Sequence, residues 1–340
     1  MNIKDLAQHL GLSIGTVSRA LNAKPDVNPK TRQRVLDAAV ELGYSANTSG
    51  RSLRRGSTQT VAFVLETGQA DVRGGDNFFM RIIDAMQDAL SAQGYDLIIL
   101  PSNSASDPTE FIKRTIARGI ADAIIVTATR AQDSRIELLL KSHMPFLAFG
   151  RSQIAGDYAW IDLDFEGFLR QSMQQLVALG HRRIAVTAPP STSNIGVLLH
   201  ETYAATCAQL GLDHDPSLVI PAEHSEFGGS AVTQSILAMD DPVTALILNY
   251  EMMAFGAYSA LRDAGLSPGK DLSIVTLRRS KQLRFLEPAV TACAIDLEGL
   301  GTQIARETLR VIRGESPNAA LVWPAKLVVS DSIQAPPARA

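Results

Sequence analysis

Asn2-Ile3-Lys4-Asp5-Leu6-Ala7-Gln8-His9-Leu10-Gly11-Leu12-Ser13-Ile14-Gly15-Thr16-Val17-Ser18-Arg19-Ala20-Leu21-Asn22 is the stretch on which the reading of this chain turns. Ile3, Leu6, Ala7 and Leu10 recur at i, i+3, i+4 and i+7, one apolar face of a short helix. Gly11 is placed to end that helix, and Ser13 to cap a second. Three residues separate the two, so they must cross sharply. That is helix-turn-helix geometry, in which the second helix enters the major groove. Val17, Ala20 and Leu21 are expected to face inward, leaving Ile14, Gly15, Thr16, Ser18, Arg19 and Asn22 on the outer side. Short hydroxyls, an amide and a guanidinium are groups that bond base edges and phosphates. A third helix is expected from Asn28 as cap and Pro29 at its first position, with Val35, Leu36, Ala39 and Leu42 inward and Gly43 as stop.

Charge follows the same division. Residues 1–58 hold nine Lys and Arg against four Asp and Glu, a net +5, so a chain whose total is −3 carries −8 in the remainder. A basic head on an acidic body concentrates attraction for phosphate at one end.

Leu12-Ser13-Ile14-Gly15-Thr16-Val17-Ser18-Arg19-Ala20-Leu21-Asn22 resembles the headpiece of the lac repressor (LacI/GalR) family. Thr31-Arg32-Gln33-Arg34-Val35-Leu36 and Glu41-Leu42-Gly43-Tyr44 resemble its third helix, and Asn47 with Gly50-Arg51-Ser52-Leu53 its hinge. The similarity in layout runs to about residue 332. It implies a headpiece over 1–46, a hinge over 47–58 and an effector-binding, dimerising body over 59–340. The DNA-binding residues it implies are Ser13, Ile14, Gly15, Thr16, Ser18, Arg19, Asn22, Asn28, Thr31, Asn47, Arg51 and Leu53. Leu53 is the residue expected to wedge into the minor groove. Gly50 stands where the family usually has alanine, which costs a hinge helix roughly 1 kcal/mol.

Beyond residue 59, continuous apolar runs alternate with helix-length segments. They are Thr60–Leu65, Leu97–Leu100, Ala123–Val126, Phe146–Phe149, Trp160–Asp162, Ile184–Thr187, Leu218–Ile220, Ala245–Leu248 and Ser273–Thr276. Such runs suit parallel sheets covered on both faces. The expected fold class is therefore an all-α headpiece plus two doubly wound α/β lobes of periplasmic-binding-protein type. The resemblance puts one lobe at about 59–158 and 289–320 and the other at about 159–288 and 321–334. Hydrophobic content is 46% and no apolar run reaches membrane-spanning length. The start of the chain has no basic-then-apolar signal region, which argues for a cytoplasmic protein and against the alternative, a solute-binding protein for sugar transport. Cys207 and Cys293 are too few for a disulfide framework and are expected to be buried and reduced.

Ligands of doubly wound sheets bind at the carboxyl ends of strands, which singles out Asn77, Phe78, Phe79 and Arg151 as effector candidates; the resemblance adds His224, Asn249, Glu251 and Arg278 from the family's motifs, with Asp296 placed to replace lost acceptors. A phenylalanine ring suits the apolar face of a pyranose, and both rings also fit a core. Arg151 follows Gly150, a pair that in the resembled family goes with glucosides. Its guanidinium can bond two hydroxyls or form a salt bridge to Asp162 or Asp164. Glu251 and Asn249 are equally placed to cap a helix. Three positions depart from the family's sugar-gripping pattern: Leu199 stands where arginine is usual, Arg278 where an acid is usual, and Ser332 lies in a segment where arginine is common. Arg278 opens the reading of an anionic effector. No nucleophile elbow, phosphate-cradling loop, metal spacing or Cys/His pair is present in the sequence, so no catalytic residue, metal or cofactor is expected. His181 reads as a helix-end residue. The expectation is a DNA-binding repressor of carbohydrate-utilisation genes, a homodimer released by a small sugar-like effector. Without a heptad tail, no coiled-coil tetramer is expected.

Overall fold

The computed structural model describes residues 2–21, 24–44, 56–67, 78–103, 107–190, 192–315 and 320–337. It forms two compact units, residues 1–58 and 59–340.

The first unit holds α1 (Ile3–Leu10), α2 (Ile14–Leu21) and α3 (Pro29–Glu41). Asn2 caps α1 by a reciprocal box: its Oδ1 accepts from the Lys4 and Asp5 N–H groups, and the Asp5 carboxylate accepts from Asn2 N–H. Leu6, Ala7, Leu10, Val17, Ala20, Val27, Val35, Ala38 and Ala39 form its core. Leu36 departs from the expected stripe and faces solvent, with Ala38 inward instead. The cause is phase. Val35, Ala38, Ala39 and Leu42 share one side at 100° per residue, and Leu36 lies one step around.

The second unit is two six-stranded sheets wound alike. The first orders as β11-β5-β4-β3-β1-β2, from β1 (Thr60–Glu66), β2 (Asp96–Ser102), β3 (Ala123–Val126), β4 (Phe146–Phe149), β5 (Ala159–Leu163) and β11 (Ala320–Trp323). The second orders as β12-β10-β9-β8-β6-β7, from β6 (Ile184–Ala188), β7 (Val219–Pro221), β8 (Ala245–Leu248), β9 (Ser273–Arg278), β10 (Thr291–Ala294) and β12 (Lys326–Val328). All pairings are parallel except β10 with β12. The apolar runs read as strands form strands, the central ones buried on both faces as covered parallel sheets require, whereas the edge strand β2 is half-exposed, Ile99 being 39% exposed, and Leu218 ends the short turn before β7. The chain passes between sheets after Leu163, after Ala294 and between Trp323 and Lys326, in each case a few residues beyond the expected 159, 289 and 321. The Trp160–Asp162 run is thus the last strand of the first lobe's opening segment rather than the first of the second lobe. Its Ile161 carbonyl accepts from Gly150 N–H, which holds it beside β4.

The helices that matter below are α4 (Phe78–Ser91) in the first lobe, and α7 (Phe165–Ala178), α8 (Asn194–Leu210) and α9 (Glu226–Leu237) in the second. Cys207 and Cys293 are both buried thiols, and burial pushes Cys293 up to about 12.

Candidate DNA-reading helix and effector cleft

In the headpiece, Val17, Ala20 and Leu21 pack inward and Ile14, Gly15 and Arg19 are exposed, as the sequence pattern requires. Ser13 Oγ accepts from Thr16 N–H at 3.0 Å and lies 2.8 Å from Thr16 Oγ1, so this pair closes the first turn of α2. Asn28 caps α3 through Lys30 N–H, and Thr31 is half-buried beside it. Arg19 sits 3.5 Å from Asp26 in an exposed pair, an arrangement that contributes little in water and yields readily to phosphate. Asn22, Asn47, Gly50, Arg51 and Leu53 lie outside the described residues, as does Asn77 of the effector set.

In the body, the carboxyl ends of the two sheets face one another across the lobe boundary. Ala131 N–H donates to the Thr192 carbonyl and Asn194 N–H to that of Thr129, both at 3.2 Å. These bonds tie the loop after β3 to the loop after β6. On the first-lobe side, Phe78 stacks on Phe149 and meets Phe79 edge-on, while Phe79 meets Phe63. Phe78 presents its ring to the Arg278 guanidinium of the second lobe, 5.3 Å away.

Arg278 ends β9 and forms an ion pair with Glu251, whose side chain is 3% exposed against 5% for Arg278. The two sequence candidates therefore meet. The charge expected to attract an anion is already matched. Beside them, Thr187 O–H donates to Asn249 Oδ1 at 2.7 Å and Thr187 Oγ1 accepts from Asn249 N–H at 2.9 Å. Asn249 Nδ2 lies 2.6 Å from His224 Nε2, and the imidazole stacks on Tyr250. An amide nitrogen only donates, so His224 Nε2 accepts and the ring is the Nδ1–H tautomer. Glu251 and Asn249 are thus cleft-facing hydrogen-bonding groups, and neither serves as a helix cap bonded through its side chain to α10 (Met253–Asp263).

Arg151 and Asp296 differ from expectation. Arg151 Nε donates to Asp162 at 2.9 Å, and Nη1 and Nη2 form a fork on Glu166 at 2.8 and 2.6 Å. The guanidinium also lies over Trp160. Asp162 belongs to β5 and Glu166 to α7, so Arg151 straddles the first passage between lobes. Three of its five N–H groups are spent on carboxylates; the salt bridge to Asp162 forms, and Asp164 instead caps α7. Gly150 is required ahead of it. Its φ is +120°, and a Cβ there would fall on Thr129 Oγ1. Asp296 accepts from Gly299 N–H as the exposed cap of α11 (Leu297–Ile312), so its carboxylate is occupied at a helix start.

Sequence reading missed Thr187 and Tyr250, each at a strand's carboxyl end, where a polar residue closing an apolar run is the available signal. It also missed a buried cluster at the ends of β1 and β3. Arg135, 2% exposed, donates to Asp133 and to the Thr127 and Ala128 carbonyls and lies 3.6 Å from Glu66. Burial disfavours the Asp133 charge, but Arg135 and two backbone N–H groups more than offset it, holding the carboxyl below its ordinary value. His181 is the helix-end residue expected, its N–H donating to the Leu176 carbonyl, and its ring is also bonded. It bridges Thr244 and the Gln334 carbonyl at 2.8 Å each, and burial holds its pKa down. Leu199, in the usual arginine position, is core, and Tyr203 next to it donates to the Ile184 carbonyl.

A helix-turn-helix unit followed by two doubly wound lobes with polar groups at their facing strand ends defines a ligand-responsive class of DNA-binding protein. Residues 2–47 match the description "Bacterial regulatory proteins, lacI family", and residues 173–333 match "Periplasmic binding protein-like domain". The transcriptional regulator AglR of Rhizobium meliloti (strain 1021) is 32% identical over 100% of this chain and 96% of its own length. The regulator RafR of Escherichia coli is 31% identical over 94% of each. Among solved structures, a CelR–cellobiose complex aligns with TM-score 0.74 at 26% identity, over 98% of this chain and 99% of that one. The lac repressor dimer bound to operator and an anti-inducer aligns with TM-score 0.83 at 22% identity and the same coverage. The chain belongs to the LacI family of DNA-binding transcriptional regulators, and it is not an enzyme.

Proposed function

We propose that this regulator is a homodimeric repressor of carbohydrate-utilisation genes that leaves its operator when a neutral, hydroxyl-rich effector enters the cleft between the lobes, a glucoside being the first candidate. The Arg278–Glu251 pair carries the neutral part of this reading. An anionic ligand would gain the guanidinium and meet the carboxylate beside it, both in a desolvated site where an unmatched charge is costly. A hydroxyl, which donates and accepts, satisfies both members. Asn249 and His224 add polar groups, and Phe78 supplies a ring for an apolar sugar face. Differential affinity for two lobe arrangements is what couples such binding to the headpiece. The homodimer supplies two headpieces for a palindromic operator, as in the operator-bound lac repressor dimer.

The test is thermal stabilisation of the full-length protein by cellobiose and other neutral disaccharides against glucose 6-phosphate. Neutral sugars should raise Tm, and Arg278→Ala should abolish the rise. Stabilisation by the phosphate alone would overturn the neutral reading.

A further inference from the structure

The loop after β3, residues 127–133, is shaped against its own preference. Ala128 holds φ at +50°, one of two non-glycine residues in the left-handed region among those described. An alanine stays there only when its surroundings hold it. Arg135, near the start of α6 (Ser134–Lys141), does so. Its Nη2 donates to the Thr127 and Ala128 carbonyls, each at 3.1 Å. The same guanidinium donates to Asp133, which in turn accepts from Arg130 N–H at 3.0 Å. Two carbonyls before the turn and an N–H after it are thus drawn onto one buried ion pair. The loop's other ties, from Thr129 Oγ1 to the Arg151 carbonyl and from Gln153 N–H to the Ala131 carbonyl, run to the loop after β4 and leave Thr127 and Ala128 to Arg135.

Stability alone does not call for such a cluster. Buried ions lose hydration that their attraction seldom repays in full, and apolar side chains of like volume fill such a crevice as well. An apolar side chain could not bond two carbonyls, however, and the shape those bonds fix is the one that reaches the other lobe. Beside Ala128, the Thr129 carbonyl accepts from Asn194 N–H, and Ala131 N–H donates to the Thr192 carbonyl. Arg130 and Ser193 pair between them as an antiparallel bridge. Two backbone bonds across a lobe boundary hold only while the lobes keep this separation.

We propose that Arg135 is a positioning residue: it keeps the loop after β3 in the shape that bridges to the second lobe, and so favours the bridged arrangement of the lobes over a parted one. The bias is built into the scaffold, and any ligand of the cleft acts on an equilibrium that it has already weighted.

The test is hydrogen exchange of the full-length protein without added ligand, read at the Ala131 and Asn194 amides by fragmentation mass spectrometry. Arg135→Lys keeps a cation between Asp133 and Glu66, but an ammonium cannot reproduce a fork that serves a carboxylate and two carbonyls at once. Exchange at both amides should rise about tenfold, the worth of the two carbonyl bonds lost. Ala128→Gly, added to Arg135→Lys, lets the backbone take the left-handed φ unaided and should bring both amides back to within about twofold of wild type. A residue that only stabilised the fold would not be replaced by that change. The combined variant Glu66→Gln, Asp133→Asn, Arg135→Met removes the cluster without stranding a charge; it should melt close to wild type and still lose protection at the bridge. The proposal falls if either Arg135 variant, once folded, keeps wild-type exchange at Ala131 and Asn194, or if Ala128→Gly restores nothing. The measurement needs no sugar, so its outcome is separate from that of the neutral-effector reading.

Discussion

The two lobes share one winding order and fill their strand ends differently. In each, the order reverses beside the first strand, between β1 and β3 in one and between β6 and β8 in the other, and these crevices are where such sheets offer ligand space. In the first lobe the crevice is closed by protein: Glu66, Asp133 and Arg135 fill it with buried charge and two carbonyls. In the second, beside the buried Arg278–Glu251 pair, it is lined by the hydrogen-bonding groups of Thr187, Asn249 and His224. One winding order therefore offers two equivalent crevices, and their side chains tell them apart.

The sharpest way to break this contrast is Arg135→Ala. Removing it leaves Asp133 and Glu66 buried without their cation, and stability in urea should fall by about 3–5 kcal/mol. Asn249→Ala in the other lobe should cost roughly 1 kcal/mol and mainly lower the thermal shift produced by a neutral disaccharide. Equal losses of stability at both positions would remove the distinction between the lobes.

Arg151→Ala asks whether the first passage between lobes is braced or binds effector. Stability should drop by about 1–3 kcal/mol, because Asp162 is buried and Glu166 half-buried. Stabilisation by a neutral disaccharide should persist. A variant as stable as wild type that no longer answers to any sugar would return Arg151 to the effector site.

The smallest effect concerns His181. Its folded pKa lies below the ordinary value, so in the interval between the two the unfolded chain binds the extra proton and the folded chain does not. Stability is fully present above about pH 6.5 and declines as pH falls through the folded pKa. Urea midpoints from pH 7.5 to 5 should show that decline, and His181→Gln should flatten it.

The strands, the headpiece and the winding were legible because each depends on local pattern: apolar runs for buried strands, helical phase for Val17 and Ala20, and the cap at Asn28. The end of the first lobe's opening segment was not, because an apolar run such as Trp160–Asp162 does not say which sheet it joins. At the candidate site the residue types were visible and their partners were not. Arg151 and Arg278 look alike in sequence, each a cation closing an apolar strand. One is held by carboxylates from both lobes and the other by Glu251 under a phenylalanine ring. Partners 15 and 27 residues away decide the difference, and no periodicity records them. Leu36 shows the same limit at close range, where an error of one residue turns a side chain from core to solvent.

The last passage of the chain has a consequence for synthesis. β11 and β12, separated by two residues, supply one edge strand to each sheet. Ser332 then pins the tail by accepting from Thr291 N–H and donating to the Ile274 carbonyl. A growing chain thus has everything the headpiece core needs within its first 44 residues, whereas both lobes stay unfinished until the final few dozen have emerged. A message cut short before residue 320 would yield a chain with a finished headpiece core and no completed lobe.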